Sequence, residues 1–353
     1  AVALTTDRSK AGRPYIELCG AAVTNDANHI SGPSRTGDGL FYAVDSALNH
    51  AGASSSDVSF VNTHGTATRY NDEMESKALA LASLSETPLN AVKGYIGHTL
   101  GASGVVEAVL CVRELRDNVL YASEGFSAPG TPMPVAISSD RLEGKDMDCC
   151  VKTASGFGGC NAAIVLRKGE GFGPEQFDRK RSSSIVSGYE LPQSDEPFAD
   201  FIRKEFKSLE ISDMKFYKMS DLCKSVYVAV EHLLNGKYRF HEATPLRRAI
   251  VLANRASSLE ADIQHQTIVN QHNPEGASPA VFVYTLPNVA SGEMCIRHKI
   301  QGENVFFIED QDSGLAEDYA SYLIESGQAD SVICGWCDKL GENWEVKLKL
   351  MEY

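Results

Sequence analysis

Two stretches of this chain alternate short β-rich runs with helical segments. In residues 1–168 the run "VSFVNTHG" precedes the helical "NDEMESKALALASL", and near residue 185 the pattern starts again with "SIVSGYEL". Between them, residues 169–184 read "GEGFGPEQFDRKRSSS", a composition typical of a surface linker. Strands and helices that alternate at this spacing predict an α/β fold, with a mixed or parallel sheet covered by helices in each half.

Composition excludes several classes of function. The 353 residues suffice for two domains, and 43% hydrophobic with 23% charged residues is ordinary for a soluble globular protein. No apolar run is long enough to span a bilayer. The net charge of -14 argues against nucleic acid as the main partner, because phosphate binding needs a basic face. Nine scattered cysteines indicate reduced thiols, which favours a cytoplasmic location.

Two histidines lie beside glycines in separate turns. His64 directly follows the apolar strand "VSFVN" in "HGTAT", and His98 lies in "KGYIGHTLGASG". Neutral imidazoles on two loops can donate hydrogen bonds to one carbonyl oxygen, which would stabilise the enolate formed when a malonyl thioester loses carbon dioxide. A single "HG" turn would be explained equally well by a ring that caps backbone groups. The presence of both loops favours the catalytic interpretation.

Charged side chains accompany these turns. Lys93 opens the second histidine segment, and Glu107 follows on the helix after it. Asp72 and Glu75 occupy the start of the helix after "HGTAT", where the helix dipole favours carboxylates. A lysine–glutamate pair near the histidines could fix a loop and tune the local field.

In combination, these motifs resemble a known enzyme family. "VNTHGTATRYNDEMES", "KGYIGHTLGASGVVEAV" and "SGFGGCNAAIVL" are similar to the C-terminal half of β-ketoacyl synthases, the condensing enzymes of fatty-acid and polyketide synthesis. The resemblance covers residues 1–168. It implies a thiolase-like fold of two similar halves in five layers, αβαβα, and an acyltransferase that condenses malonyl units by decarboxylation on acyl carrier protein. It implies no cofactor beyond the carrier's phosphopantetheine, and no metal.

The resemblance also implies roles for individual residues. His64 and His98 match the family's two decarboxylation histidines, assisted by Lys93. Further matches are the supporting carboxylates Asp72, Glu75 and Glu107, the threonines Thr66 and Thr68 that line the pantetheine arm, and the gating phenylalanine Phe157. Ser155 stands where the family has a second phenylalanine, which changes the predicted acyl gate.

The family's acyl-carrying cysteine is not found in this chain. It belongs to the N-terminal half, and "AVALTT" resembles only the last strand of such a half. Residues 185–353 resemble that N-terminal half more weakly, and "NVFFIEDQDSGL" places Gln311 at the cysteine position. By resemblance, glutamine there is typical of chain-length factors and of synthase-like decarboxylases. Gln311 as an ordinary exposed turn residue is an equally good interpretation.

Several assemblies and functions stay open at this level. The halves 1–168 and 185–353 could pack as a permuted pseudo-synthase, with Gln311 facing both histidines. Alternatively, the first half completes a catalytic half outside the chain, and the second is a chain-length-factor half that dimerises with a synthase-type subunit as a homo- or heterodimer. In the leading interpretation, the chain is a portion of a β-ketoacyl-[acyl-carrier-protein] synthase that acts in fatty-acid, polyketide or aryl-polyene synthesis. The alternatives are a malonyl-carrier-protein decarboxylase and a non-catalytic scaffold.

Overall fold

The computed structural model describes residues 2–7, 15–144, 146–169, 181–235, 239–272 and 277–353. Most of the predicted linker 169–184 therefore lies outside the described residues. The chain divides into two compact units. The first unit comprises Ala1–Asp26, Gly32–Gly156 and Cys160–Gln176, and the second comprises Ala27–Ser31, Phe157–Gly159 and Phe177–Tyr353.

The first unit is a five-stranded sheet with helices on both faces. Its strands, including a separate short β4–β5 pair, are β1 Ile16–Asn25, β2 Phe60–Asn62, β3 Leu89–Asn90, β4 Val119–Leu120, β5 Leu142–Glu143, β6 Cys149–Gly156 and β7 Cys160–Lys168. Its helices are α1 Asp38–His50, α2 Arg69–Leu81, α3 Lys93–Ile96 and α4 Ser103–Asp117. Asn118 ends α4 in the left-handed conformation, which asparagine tolerates better than most residues.

The sheet order is β1-β7-β6-β2-β3. β7 runs antiparallel to both β1 and β6, whereas β6, β2 and β3 are parallel to one another. The carboxyl ends of β2 and β3 therefore meet at one edge of the sheet. The segments that carry His64 and Lys93 both leave the sheet at that edge.

Both faces of this sheet are covered by apolar side chains. Successive side chains of a strand point to opposite faces, so an apolar strand contributes to both. One face packs on α1 and α2, and the other packs on α4 through Cys111 and Leu115. Three neighbouring pairs contribute one side chain to each face: Phe60 and Val61, Cys150 and Val151, and Leu166 and Val165.

The second unit has its own five-stranded sheet. The strands are β8 Ser184–Glu190, β9 Arg248–Asn254, β10 Asn304–Ile308, β11 Ser331–Leu340 and β12 Asn343–Glu352. The helices are α5 Phe198–Ser208, α6 Asp221–Leu234, α7 Arg239–Glu242, α8 Leu259–His272, α9 Pro279–Val283, α10 Val289–His298 and α11 Leu315–Glu325.

The two sheets have the same topology. In the second unit the order is β8-β12-β11-β9-β10; β12 is antiparallel to β8 and β11, and β11, β9 and β10 are parallel. When the five strands of each sheet are numbered along the chain, both sheets read 1-5-4-2-3 with the same strand directions. The prediction that both halves are versions of one α/β unit is therefore confirmed, whereas their packing into five layers stays a prediction.

At the end of the second strand of this unit, one carboxylate binds two successive backbone amides. After β9, the backbone amides of Arg255 and Ala256 donate to one carboxylate oxygen of Asp338, at 3.1 and 2.8 Å. β9 itself is buried along its whole length, with Ile250 and Leu252 in one core and Ala249, Val251 and Ala253 in the other. Such a continuous apolar run is expected of a central strand covered on both faces.

One segment whose composition favours a strand is a helix in the structure. "AVFVYTL" has a β-rich composition, but it contributes the short helix α9 instead. Ser278 precedes this helix and Pro279 is its first residue, where the missing N–H of proline costs nothing.

Cys334 and Cys337 both lie within β11. Three residues apart on a strand, they point to opposite faces of the sheet. None of the described helices is long and apolar enough to cross a membrane.

Candidate active site

The first histidine turn is fixed by a carboxylate. Glu75, on α2, accepts the backbone N–H of His64 at 2.7 Å and that of Gly65 at 2.8 Å. Gly65 has a φ of 47°, and a Cβ there would lie 2.4 Å from the Cβ of Ala91. Only glycine fits this position without displacing the neighbouring loop. The chain after β2 therefore turns tightly and presents the His64 ring.

Glu75 is itself buried and well supported. Its carboxylate also accepts hydrogen bonds from the Asn71 amide at 2.8 Å and the Thr153 hydroxyl at 3.3 Å. Burial raises the pKa of Glu75, and the two backbone amides oppose that rise. Asp72 lies one residue after Asn71, and its backbone N–H donates to the Thr68 carbonyl at 3.0 Å. Burial raises the pKa of Asp72, and hydrogen bonds from the Asn71 side chain and the Ala67 backbone oppose that rise. Both carboxylates therefore contact the turn, and Glu75 is the one that binds the amides of His64 and Gly65.

The second histidine turn follows the short helix α3. Gly94 packs so closely that a Cβ would lie 2.3 Å from the Glu124 carbonyl oxygen. The Nδ1 atom of His98 accepts the backbone N–H of Leu100 at 3.1 Å and lies 3.0 Å from the Ser103 hydroxyl. Because Nδ1 accepts a backbone hydrogen bond, neutral His98 carries its proton on Nε2.

The two imidazoles lie edge to face. Their ring centroids are 5.2 Å apart, with an interplanar angle of 82°. His64 is 6% exposed, whereas His98 is exposed to solvent. The structure therefore brings together the two histidines that the sequence placed in separate turns.

Lys93 determines the tautomer of His64. Its Nζ lies 3.2 Å from His64 Nδ1 and also contacts the His64 carbonyl oxygen. An ammonium can only donate, so Nδ1 of His64 is the acceptor and Nε2 carries the proton. Both rings consequently have an Nε2–H available as a donor. This matched pair is what stabilisation of a carbonyl oxygen requires.

The surroundings keep both rings neutral. Burial, followed by the charges of Lys93 and Lys152, lowers the pKa of His64 from 6.5 to about 3. Partial burial of the ring and the charge of Lys93 also lower the pKa of His98, although Glu107 opposes this effect. Burial lowers the pKa of Lys93 as well, and its pairing with Glu107 limits the decrease.

A buried ion cluster lies behind the first turn, and the sequence analysis found only part of it. Lys93 and Lys152 bind different oxygens of Glu107, at 2.5 and 2.6 Å. The predicted Lys93–Glu107 pair is present, but Lys152 was missed. The available signal was a lysine after the apolar run "CCV" in the strand "CCVKTASG", because charged residues are rarely buried in central strands unless they are paired.

The predicted pantetheine-contacting threonines lie in the same turn as His64. Their hydroxyl oxygens, Thr66 Oγ1 and Thr68 Oγ1, are 2.9 Å apart, and Thr68 is exposed. Ala67 between them has a φ of 56°, the left-handed region that alanine rarely adopts. The hydroxyls thus occupy a tight and unusual turn, and contact with pantetheine stays a prediction.

Phe157 belongs to the second unit, as do its neighbours 158 and 159. Its carbonyl oxygen accepts the side-chain amide of Asn288 at 2.8 Å. Its ring meets that of Phe282 edge to face at 6.4 Å and is partly exposed. In the first unit, the Ser155 hydroxyl donates to Asn161 at 2.8 Å, so a polar contact occupies the position of the family's second phenylalanine.

Gln311 lies in a turn between a strand and a helix, as predicted. β10 ends at Ile308 and α11 begins after Gly314, whose left-handed φ of 80° makes it the helix N-cap. Gln311 is exposed to solvent. The placement agrees with the elbow expected for a degenerate nucleophile position, and the role itself stays a prediction.

Most of the nine cysteines are buried. Seven are buried, and only Cys19 and Cys160 are partly accessible. Burial raises the pKa of Cys223 and of Cys334 to about 12, and it raises that of Cys19 as well. A nucleophilic cysteine needs a lowered pKa. The described residues contain no group of three or more metal-ligating side chains.

Residues 15–127 match the family model described as "Beta-ketoacyl synthase, C-terminal domain". The segment that carries the paired histidines is therefore similar to a C-terminal β-ketoacyl synthase domain, as the sequence motifs predicted.

Similar proteins include curated synthases and one larger solved structure. The chain is 31% identical over 164 residues to 3-oxoacyl-[acyl-carrier-protein] synthase 2 of Rhizobium meliloti, covering 46% of this chain and 39% of that protein. It is 32% identical over 173 residues to a Streptomyces halstedii protein named as a polyketide beta-ketoacyl synthase 1, covering 48% and 40%. The chain thus spans about two fifths of the length of these relatives.

The structure titled "PfaC Keto synthase-Chain length factor" covers 95% of this chain and 47% of its own, with a TM-score of 0.64 and 14% identity. At this identity the likeness concerns the fold alone. It extends the thiolase-like fold across both halves of the chain.

Proposed function

We propose that this chain forms part of a β-ketoacyl-[acyl-carrier-protein] synthase, and that His64 and His98 perform its decarboxylation step. The observation that carries the proposal is the matched pair of neutral imidazoles, 5.2 Å apart, each with Nδ1 engaged as an acceptor. The names of the curated relatives support the same chemistry. The proposed substrate is a malonyl thioester on the phosphopantetheine of acyl carrier protein.

The reaction needs no group beyond these donors for its first step. The two Nε2–H groups would bind the thioester carbonyl oxygen of the malonyl group. The bond between the α-carbon and the carboxylate then breaks, carbon dioxide leaves, and the electron pair forms an enolate on that oxygen. Each hydrogen bond strengthens as the oxygen gains charge, so removing one donor is expected to slow the step by about 10²–10³-fold.

Condensation would also require an acyl-cysteine. The α-carbon of the enolate attacks the thioester carbonyl carbon of this group, and the C–S bond breaks as the cysteine thiolate leaves. The cysteines of this chain are poor candidates, because burial raises the pKa of several of them and seven are inaccessible. We therefore assign the acyl-bearing cysteine to a synthase-type half that is not among residues 1–353. Gln311 would occupy the corresponding elbow of the second half, where its carboxamide cannot form a thioester.

The carrier protein and a synthase-type subunit are the proposed partners. Thr66 and Thr68 offer hydroxyls beside His64 for the pantetheine arm, and the partly exposed Phe157 is the proposed acyl-gate residue. The proposed cytoplasmic location rests on the scattered cysteines, and the proposed homo- or heterodimer rests on the family resemblance. These assignments belong to the proposal and not to the described contacts.

Release of labelled carbon dioxide from malonyl-acyl carrier protein tests the proposal directly. The full chain should release it above the rate without protein, and His64→Ala and His98→Ala should each lower the rate by about 10²-fold or more. His50→Ala is the matched control, because His50 ends α1 and its Nδ1 lies 2.8 Å from the Ala21 carbonyl oxygen on β1. An unchanged rate in His98→Ala would refute the assignment.

Gln311→Ala separates the two enzymatic alternatives. In a synthase portion that uses only the histidines, carbon dioxide release should be unaffected by this change. A decarboxylase with Gln311 in the same pocket should lose most of its rate. Acyl-enzyme formation on a cysteine of this chain, detected by intact-protein mass spectrometry, would contradict the assignment of the nucleophile elsewhere.

A further inference from the structure

A second lysine is buried behind the histidine turn. Lys152 lies in the middle of β6, which is flanked by β7 and β2, and its side chain is 2% exposed. An ammonium in such a position is costly unless it is paired and hydrogen-bonded. Its neighbours in the strand are Val151, which packs in the apolar core, and Thr153, whose hydroxyl donates to Glu75.

The contacts of Lys152 join it to the site and not to the surface. Its Nζ lies 2.6 Å from one oxygen of Glu107 and 3.4 Å from the carbonyl oxygen of Thr63, the residue before His64. It also contacts the Thr153 carbonyl oxygen. Lys93 binds the other oxygen of Glu107. One buried carboxylate is therefore shared by two ammonium groups, only one of which the sequence motifs had indicated.

The remaining charged groups near Lys152 come from the elements packed around it. Glu75 on α2 binds the Thr153 hydroxyl and the His64 amide, and its carboxylate interacts with Lys152. His98, from the turn after α3, contributes only a neutral ring. The positive charges of Lys93 and Lys152 both oppose a proton on His64.

We propose that Lys152 is a positioning residue of this site, which acts through Glu107 and His64. It holds the Glu107 carboxylate against Lys93 and places a second buried positive charge close behind the His64 turn. That charge keeps His64 a neutral donor, and it favours the negative charge that develops on the enolate oxygen. The inference rests on the proposed decarboxylation for its catalytic consequence, whereas its effect on His64 is independent of any substrate.

The primary test is the titration of His64 by NMR, with the full chain labelled with ¹⁵N-histidine. Wild-type His64 should stay neutral down to about pH 4, since its pKa is about 3. Lys152→Met removes one of the two opposing charges, so the pKa of His64 should rise by about 1 or more. Lys152→Arg keeps the charge and should leave the titration near that of the wild type. Lys168→Met is the matched control, because Lys168 ends β7 and binds Asn118 and Asp148 instead.

The second test is the pH profile of carbon dioxide release. Its acid limb should move to higher pH in Lys152→Met and return in Lys152→Arg, a pattern that a purely structural role would not produce. If the methionine variant does not fold, Lys152→Gln gives the same test, because glutamine can still donate to Glu107. An unchanged His64 titration in a folded neutral variant would overturn the proposal. Absence of carbon dioxide release in the wild type would refute the proposed function, while the titration would still decide the role of Lys152.

Discussion

The ion cluster behind His64 gives a sharp prediction for Glu107→Gln. Glu107 is the shared partner of Lys93 and Lys152, and all three side chains are buried, with exposed fractions of 1%, 8% and 2% respectively. The substitution preserves size and leaves two ammonium groups a few ångströms apart without their counter-ion. Breaking a buried ion pair by removing one partner typically costs about 3–5 kcal/mol. We expect Glu107→Gln to lower the free energy of unfolding by at least that amount, because two cations lose their partner.

The charge count predicts a ranking of variants. Lys152→Met leaves an intact Lys93–Glu107 pair, so it should cost clearly less than Glu107→Gln. The surface pair Lys77–Glu73, at 2.6 Å on α2, is a useful reference because its side chains are 28% and 32% exposed. An exposed pair of this type contributes little to stability, because solvent screens the two charges. Glu73→Gln should therefore be nearly neutral.

Urea unfolding followed by circular dichroism at pH 7 and at pH 9.5 (about one pH unit below the usual lysine pKa) provides the assay. In Glu107→Gln the buried lysines should have pKa values well below 10.4 in the folded state. The destabilisation should then be greatest near neutral pH and should shrink as the pH rises and a lysine loses its proton. Equal losses in Glu107→Gln and Glu73→Gln, or a loss independent of pH, would refute the reasoning.

Three further outcomes follow from other contacts of the first unit. Gly65→Ala places a Cβ at 2.4 Å from the Cβ of Ala91 in a left-handed turn. We therefore expect the unfolding free energy to fall by about 1–3 kcal/mol and carbon dioxide release to be lost. Gly52→Ala is the control, since a Cβ there meets open space and the release rate should be kept. Burial raises the pKa of Glu114 to about 7. The folded protein thus favours the neutral carboxyl, so the stability of the wild type should fall as the pH rises from about 4.5 to 7. Glu114→Gln should remove up to about 3 kcal/mol of that fall, measured by urea titration. The lowered pKa of His64 acts in the opposite direction: its contribution is complete above about pH 6.5 and is lost as the pH falls toward 3, so His64→Asn should flatten the acid side of the stability curve, and an unchanged acid slope would contradict the assignment.

The site was predictable in part because its elements are local and specific. The two Gly-flanked turns are each short motifs, and parallel strands bring the segments that follow β2 and β3 to one edge. Lys152 was not found, since a strand's register with its neighbours cannot be read from one sequence. Only the sheet brings this lysine to Glu107, which is 45 residues away in the chain and on a different element.

The fold shows a similar division. β9 and β11 can be read from the sequence because their apolar runs are continuous, as expected for strands buried on both faces. Helix α8 is hard to read from the sequence because "LEADIQHQTIVNQH" has no clear apolar stripe. The valines and phenylalanine of α9 favour β structure, but Pro279 begins a short helix there instead.

The shared strand order has an engineering consequence. In each unit a buried carboxylate accepts hydrogen bonds from two successive backbone amides just beyond the second strand. The carboxylate is Glu75 in the first unit and Asp338 in the second. The segment beginning at Arg255 is thus a suitable position for a transplanted "HGTAT" turn, because Asp338 already accepts two successive backbone amides there. Because the two sheets share one topology, the loop after the second strand of either sheet could gain or lose catalytic residues while the sheet itself is kept. Loops could therefore be exchanged between the two units.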